Sequence, residues 1–260
     1  MNRSLAFASA LALLLGCGAS AAWSPIGLGV SASDKDDTTA FPDTTDSVYG
    51  LNVDAIYGKL DTVYGLSVAG IAMVSEKFAG INASGFYSRL DTAYGLSVAG
   101  MVMVSDQFAG IGIAGALNFT DKADEGALMV AGIGNSIEDS GQGSQISGLV
   151  NFAQNFQGLQ VACINAVGVT FSGAQLGAVN IAGDKDERCE ASGVQIGALN
   201  FADSCRGLQV GGYNYAASMS GVQIGAVNKV AGSFKGVQIG AINVLDSSSV
   251  KMLPALRVVF

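Results

Sequence analysis

The residues that could do chemistry are few. The 260-residue chain has no histidine, which removes Ser–His and Cys–His nucleophile pairs, imidazole proton transfer and His-ligated zinc or iron. Its four cysteines are Cys17, Cys163, Cys189 and Cys205. Cys163 occupies a slot filled elsewhere by Ala or Gly and reads as a buried free thiol. Cys189 and Cys205 flank one repeat, and a disulfide between them would pin the charged insertion "GDKDERCEAS" to the body. The acidic loops "SDKDD" (Ser33 to Asp37) and "GDKDE" (Gly183 to Glu187) offer oxygen ligands for Ca²⁺, but each contains a lysine and neither has the spacing of a known loop, so both read as solvated charge. "GIGIAG" (Gly110 to Gly115) fits a dinucleotide fingerprint but opens no helical pattern. These residues point to no catalytic, cofactor or metal site, and the reading is of a protein that is not an enzyme.

Charge and leader define the setting. With 21 acidic against 13 basic side chains, the chain repels nucleic acid and anionic surfaces. Arg3, the apolar run Leu5 to Leu15 and the small residues Ala19 to Ala22 form a signal peptide over residues 1–21. "LLGC" (Leu14 to Cys17) is a second-ranked reading, a lipoprotein site with Cys17 lipidated. Export makes the chain a secreted, surface or outer-membrane protein, with the periplasm as a further address.

The elements that must position everything else come from repetition. "GVQIGALN" at Gly193 returns as "GVQIGAVN" at Gly221 and "GVQIGAIN" at Gly236. Units open at Gly50, Gly65, Gly80, Gly95, Gly110 and Gly126, then at Ser144, Gly158, Gly173, Gly193, Gly207, Gly221 and Gly236. The period is 14 or 15 residues, and the units form one array over residues 48–250. The first and third residues after the glycine are aliphatic, as in Leu66 and Val68 or Val222 and Ile224. That alternation predicts a β-strand, and the small residues that follow, such as Gly225 and Ala226, predict a bend.

An all-β repeat array follows, best read as a parallel β-solenoid of about 13 coils. Its one-residue variation in coil length would sit at a corner. Stacking would align Gln160, Gln175, Gln195, Gln209, Gln223 and Gln238 in one surface ladder. Asn165, Asn180, Asn200, Asn214, Asn228 and Asn243 would form a second. The aliphatics would fill one side of the core. Apolar residues two places before the glycine, including Phe78, Phe108, Phe156, Phe171 and Phe234, would fill the other. Residues 22–47 would serve as leader or cap, and 251–260 as C-terminal cap or closing strand. The alternative is an antiparallel outer-membrane β-barrel, as a pore or passive barrel, with Tyr49, Leu51, Val53 and Tyr57 facing lipid. Tyr49, Tyr57, Tyr64, Tyr87 and Tyr94 cluster in the first four units and could offer a carbohydrate- or protein-binding face, though packing at strand edges is the commoner use of tyrosine.

The ordered combination of "VYGLNVDAIYGKLDTVYGLSVAG" from Val48, the G-[LV]-Q-[IV]-G-x-x-N units and "LPALRVVF" from Leu253 resembles a bacterial family of exported surface-repeat proteins. The resemblance implies a secreted or cell-surface protein and brings no catalytic residues. The function expected is structural or recognitive: glycan, another protein or a second copy would bind a rigid β-face, with no nucleic acid partner.

Overall fold

The structure, a computed structural model, describes residues 24–29, 39–41, 47–183 and 189–260. The expected signal peptide, Cys17, the loop 33–37 and most of the insertion at 184–188 lie outside the described residues. The fold is all-β, a parallel β-solenoid of about 13 coils, and no helix occurs among the described residues. The barrel alternative is overturned: successive strands pair parallel with a one-coil offset, so equivalent residues stack, whereas a barrel of this kind needs antiparallel neighbours.

The described residues fall into two compact units, one ending at Asn118 and one beginning at Phe119. In unit 1, β1 (Ser24–Gly29) pairs antiparallel with β2 (Thr39–Phe41) and parallel with β3 (Ser47–Asp54). Then β4 (Tyr57–Ala69), β5 (Ala72–Ser84), β6 (Tyr87–Ala99) and β7 (Val102–Ala114) stack in register, Gly65 on Gly50 and so on to Gly110 on Gly95. The division falls within β8 (Leu117–Ala131).

Unit 2 continues with β9 (Gly134–Ser147), β10 (Val150–Val161), β11 (Ile164–Leu176), β12 (Val179–Ala182), β13 (Glu190–Val230) and β14 (Phe234–Leu245). Here Gly158 aligns with Gly143, which places the corner at Gly143 rather than at the expected Ser144. A register shift between Ala153 and Asn155 absorbs the difference between 14- and 15-residue coils. β15 (Met252–Val259) breaks the pattern by pairing antiparallel with β14. Its bulge opposite Gly240 to Asn243 and its buried Arg257, donating to the Val250 carbonyl at 2.8 Å, close that end of the sheet differently from a coil.

The corner glycines are dictated by geometry. Gly221 has φ 148°, and a Cβ there would strike the carbonyl oxygen of Gly207 one coil away. Only glycine combines that backbone angle with so close an approach.

Which residues point inward reverses part of the sequence expectation. The slot two before the glycine is buried, as expected, by Val63, Phe78, Phe108, Phe156, Phe171 and Phe234. The aliphatics after the glycine instead face outward: Ile81 is 50 % exposed and Ile196 43 %. Gln160, Gln175, Gln195, Gln209, Gln223 and Gln238 are at most 2 % exposed, and so are Asn165, Asn180, Asn200, Asn214, Asn228 and Asn243. The ladders therefore run through the core and are not surface ladders. Strand alternation fixes which residues share a face without fixing which face is the interior. Amides win the interior because stacking satisfies them completely, and a buried polar group costs free energy only when left unpaired.

Candidate functional site

From Asn165 to Asn228 each ladder asparagine donates both to the next asparagine and to a backbone carbonyl. Asn200 Nδ2 donates to Asn214 Oδ1 at 2.8 Å and to the Val210 carbonyl at 2.9 Å, and Asn214 and Asn228 repeat the arrangement. Gln175, Gln195, Gln209 and Gln238 do likewise: Gln209 Nε2 donates to Gln195 Oε1 at 2.7 Å and to the Tyr215 carbonyl at 3.2 Å. Sequence reading missed three members. Asn135 and Asn151 extend the asparagine ladder, and Gln145 extends the glutamine ladder through a bond from Gln160 at 2.6 Å. The cue was the true corner glycine, Gly143, which puts Gln145 at the same offset as the others.

The two ladders point in opposite directions along the chain. Asparagines donate forward, from Asn165 to Asn180 to Asn200, while glutamines donate backward, from Gln195 to Gln175 to Gln160. Aligned amide dipoles add, so opposed ladders cancel most of the field that either would build. At the end of the glutamine ladder the unpaired direction shows: Gln238 Oε1 is buried without a donor among the described residues.

The cysteine expectations are corrected. Cys189 and Cys205 are both free thiols, each turned inward at its own core slot, so they act as small apolar fillers rather than a bridge. Cys205 sits where other coils place phenylalanine. Burial pushes Cys189 up to about 11 and Cys205 up to about 12, which keeps both protonated and unreactive. Cys163, expected to be buried, is exposed at a corner.

Other candidate sites dissolve into the coil. Gly112, within "GIGIAG", is hemmed in by Met103 and Phe108, leaving no room for a phosphate. Tyr49 and Tyr64 stack with ring centroids 5.1 Å apart and an interplanar angle of 13°, and both are about half exposed. No group of three or more metal-ligating side chains occurs among the described residues. Asp54 is buried, and burial pushes its carboxyl up to about 6 against the opposing hydrogen bond from Asn52.

What the coil presents outward is sorted by side. In unit 2 the rows after the corner glycine carry Leu159, Val161, Leu208, Val210, Val222 and Ile224, and the rows beside each buried asparagine carry Ile164, Val179, Leu199, Phe201, Tyr213 and Ile242. Lys229 is the one charged side chain in these rows, and it pairs with Asp246 at 3.2 Å. The third side, just before the corner glycine, is polar and holds a groove of about 400 Å³. Sequence reading passed over this groove, because an isolated polar residue before a glycine looks like ordinary solvent-facing surface.

No protein-family model, no curated protein and no solved structure matches the chain. The fold and the sorted outer surface of unit 2 therefore define the class: a β-solenoid whose second unit has an amide core, two apolar flanks and one polar side.

Proposed function

We propose that this chain is a non-enzymatic, exported bacterial surface protein that associates with the outer membrane through the apolar flanks of its coils and presents its polar side for recognition. The observation that carries the reading is the inverted coil, with amides inside and aliphatic rows outside. Exposed apolar surface beyond a few hundred Å² marks a contact with lipid or another macromolecule. Two features favour lipid. In unit 2 the two flanks meet at convex corners of small residues, such as Gly197–Ala198 and Gly225–Ala226, which one rigid partner would cover on only one flank. Hydrocarbon covers both. Charge is also nearly absent from the flanks of unit 2, and the backbone groups along its stack are satisfied by neighbouring coils, as a lipid environment demands.

The test is flotation of residues 22–260 with neutral phosphatidylcholine vesicles. The chain is expected to float, and Ile196→Lys with Ile224→Lys together to leave it in the dense fractions while its β circular dichroism stays. A chain that stays soluble, monomeric and in the dense fractions without those substitutions overturns the proposal.

A further inference from the structure

We infer that the groove on the polar side of unit 2 is a binding site for a neutral, hydroxyl-rich glycan chain lying along the stack. The inference deepens the recognition role proposed above and does not depend on membrane association.

The groove crosses five successive coils. Its outer row is Gln142, Gln157, Ser172, Ser192 and Arg206. Pairing places Gln157 between Gln142 and Ser172, with Ser192 next along. Its second row is Ser140, Asn155, Thr170, Glu190 and Ser204, stacked in the same order. Five coils at the spacing of β-strands give a track roughly 19 Å long. Between the rows lie Phe156 and Phe171, which are buried, with Gly141 and Ala191 in the equivalent slots.

The chemistry of the rows selects the ligand. Primary amides and hydroxyls each donate and accept hydrogen bonds, as sugar hydroxyls do. The second row is already partly organised: Thr170 Oγ1 donates to Asn155 Oδ1 at 2.7 Å, and Asn155 Nδ2 donates to the Asp139 carbonyl at 3.1 Å. The outer-row amides of Gln142 and Gln157 and the hydroxyls of Ser172 and Ser192 make no hydrogen bond to another described residue. They stand exposed at regular intervals. The three coils bearing Gln142, Gln157 and Ser172 are uncharged along both rows, and the single acid, Glu190, and single base, Arg206, sit together at the far end. An acidic polysaccharide would find one cation at one end only.

A peptide fits less well. Peptide grooves use a free strand edge or apolar side-chain pockets. Here the strands are paired on both sides, and the two phenylalanine rings are turned into the core.

The experiment is calorimetric titration of the full mature chain with maltohexaose, cellohexaose, laminarihexaose and mannohexaose at millimolar concentration. An oligogalacturonate and a degenerate peptide pool serve as further arms. At least one neutral hexasaccharide is expected to bind. Gln157→Ala should then weaken binding about tenfold, the effect of losing one or two hydrogen bonds. Thr170→Trp, which fills the groove from an exposed position, should abolish it. Ile239→Ser, on an apolar flank, should leave it unchanged, and all three variants should melt like the parent. Absence of binding by every neutral hexasaccharide, binding confined to the acidic or peptide arm, or binding indifferent to Gln157→Ala and Thr170→Trp overturns the inference. Because no lipid is present, failure here leaves the flotation result standing, and the converse holds.

Discussion

The interiors of the two units solve one problem with different success. In unit 2 the position two after the corner glycine is glutamine in every coil from Gln145 to Gln238, and its partner column is asparagine. In unit 1 the same position reads Asn52, Ser67, Asn82, Ser97 and Gly112. Asparagine and serine alternate there, so no amide meets another: Asn82 Nδ2 donates instead to Ser97 at 3.1 Å and Ser88 at 2.8 Å. The consequence is a set of buried orphans in unit 1, namely Asn52 Oδ1, Asp54 Oδ1, Asn82 Oδ1 and Ser84 Oγ. A polar core is cheap when the repeat is uniform and costly when it is broken, because each unpaired buried acceptor forfeits its hydration without return.

The sharpest way to break that comparison is to interrupt the complete ladder. Asn200→Ala removes both donated bonds and the bond Asn200 accepts from Asn180 at 2.8 Å. It orphans the Asn214 oxygen and one Asn180 proton and takes one donor from the Val210 carbonyl, for a loss of about 4 kcal/mol. Ser97→Ala in unit 1 removes a single acceptor and should cost only about 1 kcal/mol. Denaturant melts of both variants test the ratio, and equal losses would show that the three bonds of Asn200 are together worth no more than the single contact of Ser97 with Asn82.

The contrast also shows what the sequence could reveal. The strands, the corners and the column of phenylalanines follow from alternation and from glycine spacing, and Phe78, Phe156 and Phe234 lie in the core as expected. The identity of the inner face did not follow. Gln-aliphatic alternation is symmetric about the strand, and hydrophobicity alone argues for Ile196 inside and Gln195 outside. The structure reverses that pair because a glutamine stacked on its own copy needs no water. The groove was illegible for another reason: Gln142, Gln157 and Ser172 differ in type, and only the register of the coils brings them into one row.

A second, smaller effect sharpens the contrast through pH. Asp54 stands where the following coils of unit 1 carry Ala69, Ser84, Ala99 and Ala114. Its carboxyl is pushed by burial from 3.8 to about 6. A folded value above the unfolded one means that the favourable contribution is complete below pH 3.8 and is lost as the pH rises through about 6. Unit 1 should therefore be more protected at pH 4 than at pH 7.5 by about 2 kcal/mol, read as amide hydrogen exchange across β3 and β4. Asp54→Asn should flatten that dependence, while exchange in β13 should not respond to the substitution. A pH profile unchanged by Asp54→Asn would assign the sensitivity elsewhere.

A last comparison distinguishes the middle of a ladder from its end. Gln209 lies between two partners, donating to Gln195 and accepting from Gln223 at 2.7 Å. Gln209→Met orphans an oxygen on one side and a proton on the other, and takes one donor from the Tyr215 carbonyl, which should cost about 3 kcal/mol. Gln238 has a partner on one side only, and its oxygen is already an orphan. Gln238→Met removes that orphan while creating an equivalent one on Gln223, so the number of unpaired amide oxygens does not change. What is lost is the bond to Gln223 at 2.8 Å and a long bond to the Val244 carbonyl at 3.4 Å. The expected cost is about 1 kcal/mol, a third of the central value. If the two substitutions cost the same, position within the ladder makes no difference; if the ratio holds, each amide derives its worth from having a like neighbour on both sides.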